Sequence, residues 1–161
     1  MSESAIYLDT SSIVKRYVEE SGSRLVDRIY ARAEAGENRV ATSLWNVGEV
    51  LGVLDTYRSR RLIDSRAFHE SLSSFLAESL KMIRLENLEI IPVTAHLLME
   101  TYDLILEHHI YQADALQVAA CQTADCKIFL SADSRLLKVA REENLNAFNI
   151  EREETEISRL L

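Results

Sequence analysis

Proline occurs once in the 161 residues and glycine four times, so the chain lacks the breakers that mark disordered, loop-rich or collagen-like sequences. Cysteine is nearly as scarce. Cys121 and Cys126, five residues apart near the apolar face of a helix and the turn after it, are too few for a disulfide framework. They read as buried free thiols, with a metal pair or a redox bridge as the alternative. No segment reaches the roughly 18 uninterrupted apolar residues of a membrane span, and MSESAIYLDT lacks the basic start of a secretory signal. A cytoplasmic protein with no membrane role is therefore expected. Basic residues are in deficit too: 18 Lys and Arg against 26 Asp and Glu leave a formal charge of −8. That balance argues against coating nucleic acid by bulk electrostatics, which needs many cations to displace counterions. It does not exclude a nuclease whose acids sit in a catalytic site, because metal ions reverse the local field. Among the histidines, His69 and His96 lie on amphipathic stretches, and adjacent His108 and His109 lack the i, i+4 spacing of a helical zinc pair. None is expected to bind metal.

The chain does have apolar residues, 47% of the total, in short runs separated by amphipathic stretches. At this length folding removes roughly 70% of the unfolded surface from water, enough for a full core in one domain spanning residues 1–161. β-type runs stand at AIYLD, RVATS, EIIPV, KIFLS and AFNI, with one or two helices' worth of chain between them. This alternation predicts a parallel sheet wrapped by helices. In SRLVDRIYARAEAG, Leu25, Val26, Ile29, Tyr30 and Ala33 share one face, and Gly36 stands where a helix stops. Thr42 or Ser43 can cap SLWNVGEVLGVLDTYRSRR, and Asp64 or Ser65 can cap the longest helix, on which Phe68, Leu72, Phe75, Leu76, Leu80 and Ile83 recur at three- and four-residue steps. That helix pair resembles an inserted arm, and its apolar faces could serve a dimer. Thr94 can cap the next helix, and Asp133 or Ser134 begins the last clear one.

Four acids stand out against this background. Asp9 ends AIYLD, Glu49 interrupts the apolar run of LWNVGEVLGVL, Asp114 opens DALQVAA, and Asp133 ends KIFLSAD. Singly, Asp9 and Asp133 read equally well as helix N-caps, and Asp114 as a first-turn acid favoured by the helix dipole. Glu49 is harder to dismiss, since a carboxylate beside Val47, Val50 and Leu51 needs a cation, a charged partner or a raised pKa. Jointly they suggest an oxygen-only cluster suited to Mg²⁺ or Mn²⁺. Two such ions about 4 Å apart relieve carboxylate repulsion and clamp the attacking and leaving oxygens of a phosphodiester.

The segments LDTSSIVKRYVEE, ATSLWNVGEVL, DALQVAA and SADSRLL, in this order across nearly the whole chain, closely resemble the PIN domain, nearest to the VapC-type ribonuclease toxins of toxin–antitoxin pairs. The resemblance implies a five-stranded parallel sheet of order 3-2-1-4-5, Mg²⁺- or Mn²⁺-dependent endoribonuclease activity, and a catalytic, metal-holding quartet at Asp9, Glu49, Asp114 and Asp133. Ser11 and Ser131 match supporting hydroxyl positions, Ser131 standing where Thr is frequent. A small antitoxin and a homodimer are the partners implied, beside an RNA substrate. Arg58, Arg60 and Arg61, following the Glu49 helix, are candidates to guide RNA, or else a solvated helix end. A PIN-fold binding or scaffold module without its own cleavage is the alternative function.

Overall fold

The computed structural model describes residues 5–161; the first four, part of the segment read above as lacking a signal, lie outside the described residues. In chain order the elements are β1 (Ala5–Leu8), α1 (Thr10–Val14), α2 (Ser23–Glu34), β2 (Arg39–Ser43), α3 (Leu44–Ser59), α4 (Ser65–Arg84), β3 (Leu88–Ile91), α5 (Ala95–His108), α6 (Gln112–Thr123), β4 (Ile128–Ser131), α7 (Ser134–Glu142), β5 (Ala147–Asn149) and α8 (Glu154–Leu160). The five strands form one sheet, β3-β2-β1-β4-β5, all parallel. This is the expected order.

β1 and β4 are buried along their whole length, which explains why they read as unbroken apolar runs and not as alternating ones. Their side chains still alternate between faces. Tyr7 and Phe129, paired in register, stack at 5.3 Å on the face covered by α5, α6 and α7. Ile6, Leu8, Ile128 and Leu130 point to the opposite core, with Leu25, Val26 and Ile29 of α2, Val50 and Leu54 of α3, and Phe75 and Met82 of α4.

Helix starts follow the capping chemistry. The Ser43 hydroxyl accepts from the Asn46 N–H in a reciprocal box, and the Asp64 and Thr94 side chains receive the Ala67 and Leu97 N–H groups. Asp133, not Ser134, caps α7. Two features depart from the sequence reading. Beyond the helix expected to be the last clear one, Glu154–Leu160 forms α8, whose first turn carries Glu154 and Glu156, favourable at the N-terminal end of the dipole, and whose Ile157 is buried. On α4 only Phe75 and Met82 are fully buried, whereas Leu76, Leu80 and Ile83 remain 44%, 56% and 43% exposed.

Candidate active site

The chain leaves the middle of the sheet in opposite directions at β1, through β2 and β3 on one side and β4 and β5 on the other. In an open parallel sheet such a switch leaves a crevice beyond the carboxyl ends of the two strands concerned. Asp9 follows β1 directly, and Asp133 lies two residues past β4. A cleft of about 620 Å³ opens there, and Asp9, Glu49, Asp114 and Asp133 all line it, with Thr10, Ser11, Lys15, Glu20, Gln117 and Glu151 among the other polar walls.

Asp9 is the buried member, 3% exposed. One carboxylate oxygen accepts the Ser12 N–H at 2.8 Å, capping α1; the other accepts the Ser131 hydroxyl at 2.6 Å; the Ser11 hydroxyl reaches both, at 2.7 and 2.8 Å. The two serines do double duty, since Ser11 Oγ also accepts the Ala132 N–H and Ser131 Oγ the Asp133 N–H. They tie Asp9 to the turn that carries Asp133. Burial still pushes the Asp9 carboxyl above the ordinary range, the hydrogen bonds from Ser131, Ser11 and Ser12 offsetting only part of it. Ser11 and Ser131 thus lie where a supporting role for Asp9 would put them.

Asp114, half-buried in the first turn of α6, is also pushed up, by burial first and then by the carboxylates of Asp133 and Glu49; Arg135 opposes them. These three acids therefore share one electrostatic field. Glu49 is half-buried on α3 and turns to the cleft instead of the core, accepting the Thr10 hydroxyl at 2.5 Å. Behind Thr10 stands a side chain the sequence reading did not single out. Asn46, fully buried, donates its amide hydrogens to Thr10 Oγ1 at 2.9 Å and Gln117 Oε1 at 2.8 Å, while its oxygen accepts from Tyr7 Oη, Ser43 N and Ser43 Oγ. One amide thus joins β1, β2, α1, α3 and α6. Its only sequence signal was the S-x-x-N spacing of the cap. Lys15, 3% exposed, lies further along the cleft between Glu20 at 3.1 Å and Glu151 at 2.6 Å, and was not foreseen either.

The donor set in the cleft is all hard oxygen, and the upward pull on Asp9 and Asp114 is the strain that a bound cation removes, so the residues fit a Mg²⁺- or Mn²⁺-type ion. Among the described residues, the one set of three or more acidic, histidine or cysteine ligand atoms within 4.8 Å of one another is not this quartet but Glu107, His108 and Glu143. The quartet stands more open.

Arg58, Arg60 and Arg61 do not line the cleft. Arg58 pairs with Asp55 at 2.5 Å and lies over the Phe68 ring, Arg60 caps the end of α3, and Arg61 takes a left-handed conformation at φ 57° in the turn beyond it. The helix therefore stops before the last two.

The PIN domain family model matches residues 6–142, and the chain belongs to that family. No curated protein sequence matches it. Among solved structures it is similar to PAE2754 from Pyrobaculum aerophilum, with 15% identity, 97% of this chain and 90% of that one covered, and a TM-score of 0.64. It is also similar to VapBC2 from Rickettsia felis bound to a DNA fragment from its promoter, with 19% identity, coverage of 90% and 98%, and a TM-score of 0.60. VapC20 of Mycobacterium tuberculosis, a Sarcin-Ricin loop cleaving toxin, matches at 19% identity, with coverage of 78% and 87% and a TM-score of 0.57.

Proposed function

We propose that the chain is a single-domain, metal-dependent endoribonuclease of the cytoplasm and the toxin of a toxin–antitoxin pair. The observation that carries this reading is the buried Asp9 carboxylate, held by three neighbouring hydrogen-bond donors and facing Glu49, Asp114 and Asp133 across one cleft at the switch point of the sheet. Similarity to VapC20 and to a VapBC complex supports the toxin assignment and the presence of an antitoxin.

Asp9, Glu49, Asp114 and Asp133 would hold Mg²⁺ or Mn²⁺, which supplies an activated water and charge stabilisation for the leaving oxygen of a phosphodiester. The protein's own part is positional. Ser11, Ser12 and Ser131 fix Asp9, the Thr10 hydroxyl fixes Glu49, and the α7 amides of Arg135 and Leu136 hold Asp133. An inhibitor suited to the cleft would carry an Arg or Lys aimed at Asp9 and Asp114, taking the place of the metal charge. The exposed apolar residues on α4 and α5, including Leu80 at 56%, Met99 at 57% and Leu106 at 74%, support a homodimer. In sedimentation a strict monomer at tens of micromolar would refute it.

The test of function is RNA cleavage by the purified chain with Mn²⁺, with Mg²⁺ and with chelator, beside Asp9→Asn. Cleavage that depends on metal and on Asp9 is expected. A folded chain that binds RNA or a partner yet cuts nothing in either metal would be the scaffold module instead.

A further inference from the structure

On the α5, α6 and α7 face, outside the cleft's lining residues, the ends of three helices meet around one imidazole. His108 is the last residue of α5, with its side chain 8% exposed, Glu142 ends α7, Glu143 follows it, and Gln122 lies in the last turn of α6. Nε2 of His108 stands 2.6 Å from Glu143 Oε1, and Nδ1 stands 3.2 Å from Glu142 Oε2. A neutral imidazole has one N–H and one lone pair, and a carboxylate only accepts. With Nδ1–H given to Glu142, a neutral ring turns the lone pair of Nε2 toward the Glu143 carboxylate. A ring proton or a metal ion between Nε2 and Glu143 resolves the clash.

Glu107 adds a further carboxylate, and its ligand atom lies within 4.8 Å of those of His108 and Glu143. Imidazole and carboxylate groups bind Zn²⁺ at roughly 2.0–2.2 Å, so neighbouring ligands in a tetrahedral site sit about 3.3 Å apart. The His108–Glu143 pair would open from 2.6 Å to that distance, and the Glu107 ligand atom lies within 4.8 Å of both. Gln122 Nε2, 3.4 Å from the second oxygen of Glu143, is placed to orient that carboxylate. The nitrogen ligand separates this cluster from the all-oxygen cleft in the class of ion it prefers.

We propose that Glu107, Glu143 and Nε2 of His108, the ring being oriented by Glu142 at Nδ1, form a second divalent-cation site selective for a Zn²⁺-class ion. Its role is structural. An ion there joins the end of α5 to the end of α7, while Arg135 at the start of α7 already donates to the His109 carbonyl at 2.7 Å. Together they fix the short turn that leads into α6 and Asp114. The sequence spacing missed the site because its ligands come from two helices more than 30 residues apart.

Zinc binding is measured by equilibrium dialysis in millimolar Mg²⁺, which competes for the cleft, on the wild type, His108→Gln, Glu143→Gln and Asp9→Asn, with thermal melting alongside. The wild type and Asp9→Asn should each hold one Zn²⁺ and melt higher with it. His108→Gln and Glu143→Gln should bind more weakly by no less than the roughly 10- to 100-fold that even an outer-shell partner costs, and should gain no zinc-dependent melting shift. Mn²⁺-dependent RNA cleavage, where present, should survive in His108→Gln. Zinc affinity equal in the wild type and both clasp variants, or lost in Asp9→Asn alone, would overturn the proposal. So would a wild type that holds no zinc, leaving a protonated imidazole as the only cation. Should His108→Gln fail to fold, Glu143→Gln decides.

Discussion

Replacing Asp9 with Asn should move stability and activity in opposite directions. In the metal-free protein the carboxylate is 3% exposed and accepts from Ser11, Ser12 and Ser131. A hydrogen bond to a charged group contributes about 1.5–3 kcal/mol and a neutral one about 0.5–1.5, so neutralising the acceptor loses on the order of 3 kcal/mol over three donors. Against this, keeping an ion out of water costs several kcal/mol even after relaxation. The upward displacement of the Asp9 pKa says that the second sum is the larger. Asn removes that net penalty, so the variant should melt higher than the wild type in chelator. For a chain of this size each kcal/mol gained raises Tm by roughly 2–4 °C.

With Mn²⁺ the order should invert. The wild type gains about 2.7 kcal/mol at a metal concentration 100 times Kd, and the Asn variant, with a weaker ligand, gains less. RNA cleavage should fall roughly a hundredfold or more, since metal stabilisation of transition-state charge is worth several kcal/mol. Paired melting curves in chelator and in Mn²⁺, with a cleavage assay on the same samples, check all three outcomes. A variant that melts lower in chelator would show that the serine hydrogen bonds outweigh the buried charge. One that cleaves at the parental rate would remove Asp9 from the chemistry.

Two further outcomes follow from the charge distribution. Asp9 and Asp114 have raised pKa values in the folded chain, so their destabilising effect is full at neutral pH and is relieved as pH falls through the raised values to the ordinary carboxylate range near pH 4; Glu78, lowered because its hydrogen bonds from Arg16 and Tyr17 outweigh burial, contributes stability that is lost as pH falls through its folded value. Metal-dependent cleavage should accordingly decline on mild acidification, before the fold does, as followed by activity and circular dichroism in parallel. Changing Arg58, Arg60 and Arg61 together to Ala should weaken RNA binding and flatten its salt dependence with no change in metal affinity; an unaltered salt slope would make them a solvated turn.

The strands were legible because parallel strands buried on both faces leave unbroken apolar runs, as AIYL and IFLS do, while their order came from the family resemblance. Periodicity could not tell which side of α4 is inward. Phe68, Leu72, Phe75 and Met82 form one stripe at steps of four, three and seven residues and Leu76, Leu80 and Ile83 a neighbouring one at four and three, both of helical period, and only packing against α3 and the sheet selects the first. The four acids could be read because carboxylates in apolar company need an explanation. Asn46, Thr10 and Gln117 could not, since polar residues near helix starts are ordinary, and the bonds that join them cross 36 and 71 residues of sequence.

The cap reading of the acids does not compete with the proposed site. Asp9 caps α1, Asp133 caps α7, and Asp114 lies in the first turn of α6, so backbone N–H groups at three helix starts help the fold tolerate three like charges at one cleft. Glu49 has no such support. It sits in the middle of α3, and the hydrogen bond it receives comes from Thr10, whose hydroxyl is held in turn by Asn46. Glu49 should therefore be the acid most sensitive to its side-chain partner. Thr10→Val keeps the shape of a 9%-exposed residue but removes that donor and orphans one Asn46 hydrogen, a loss of about 1–3 kcal/mol in stability. Metal affinity and cleavage should drop with it, while Thr10→Ser, which retains the hydroxyl, should keep most of both. If Thr10→Val binds Mn²⁺ and cuts RNA as the wild type does, Glu49 is positioned by α3 alone and the Asn46 chain serves only the core.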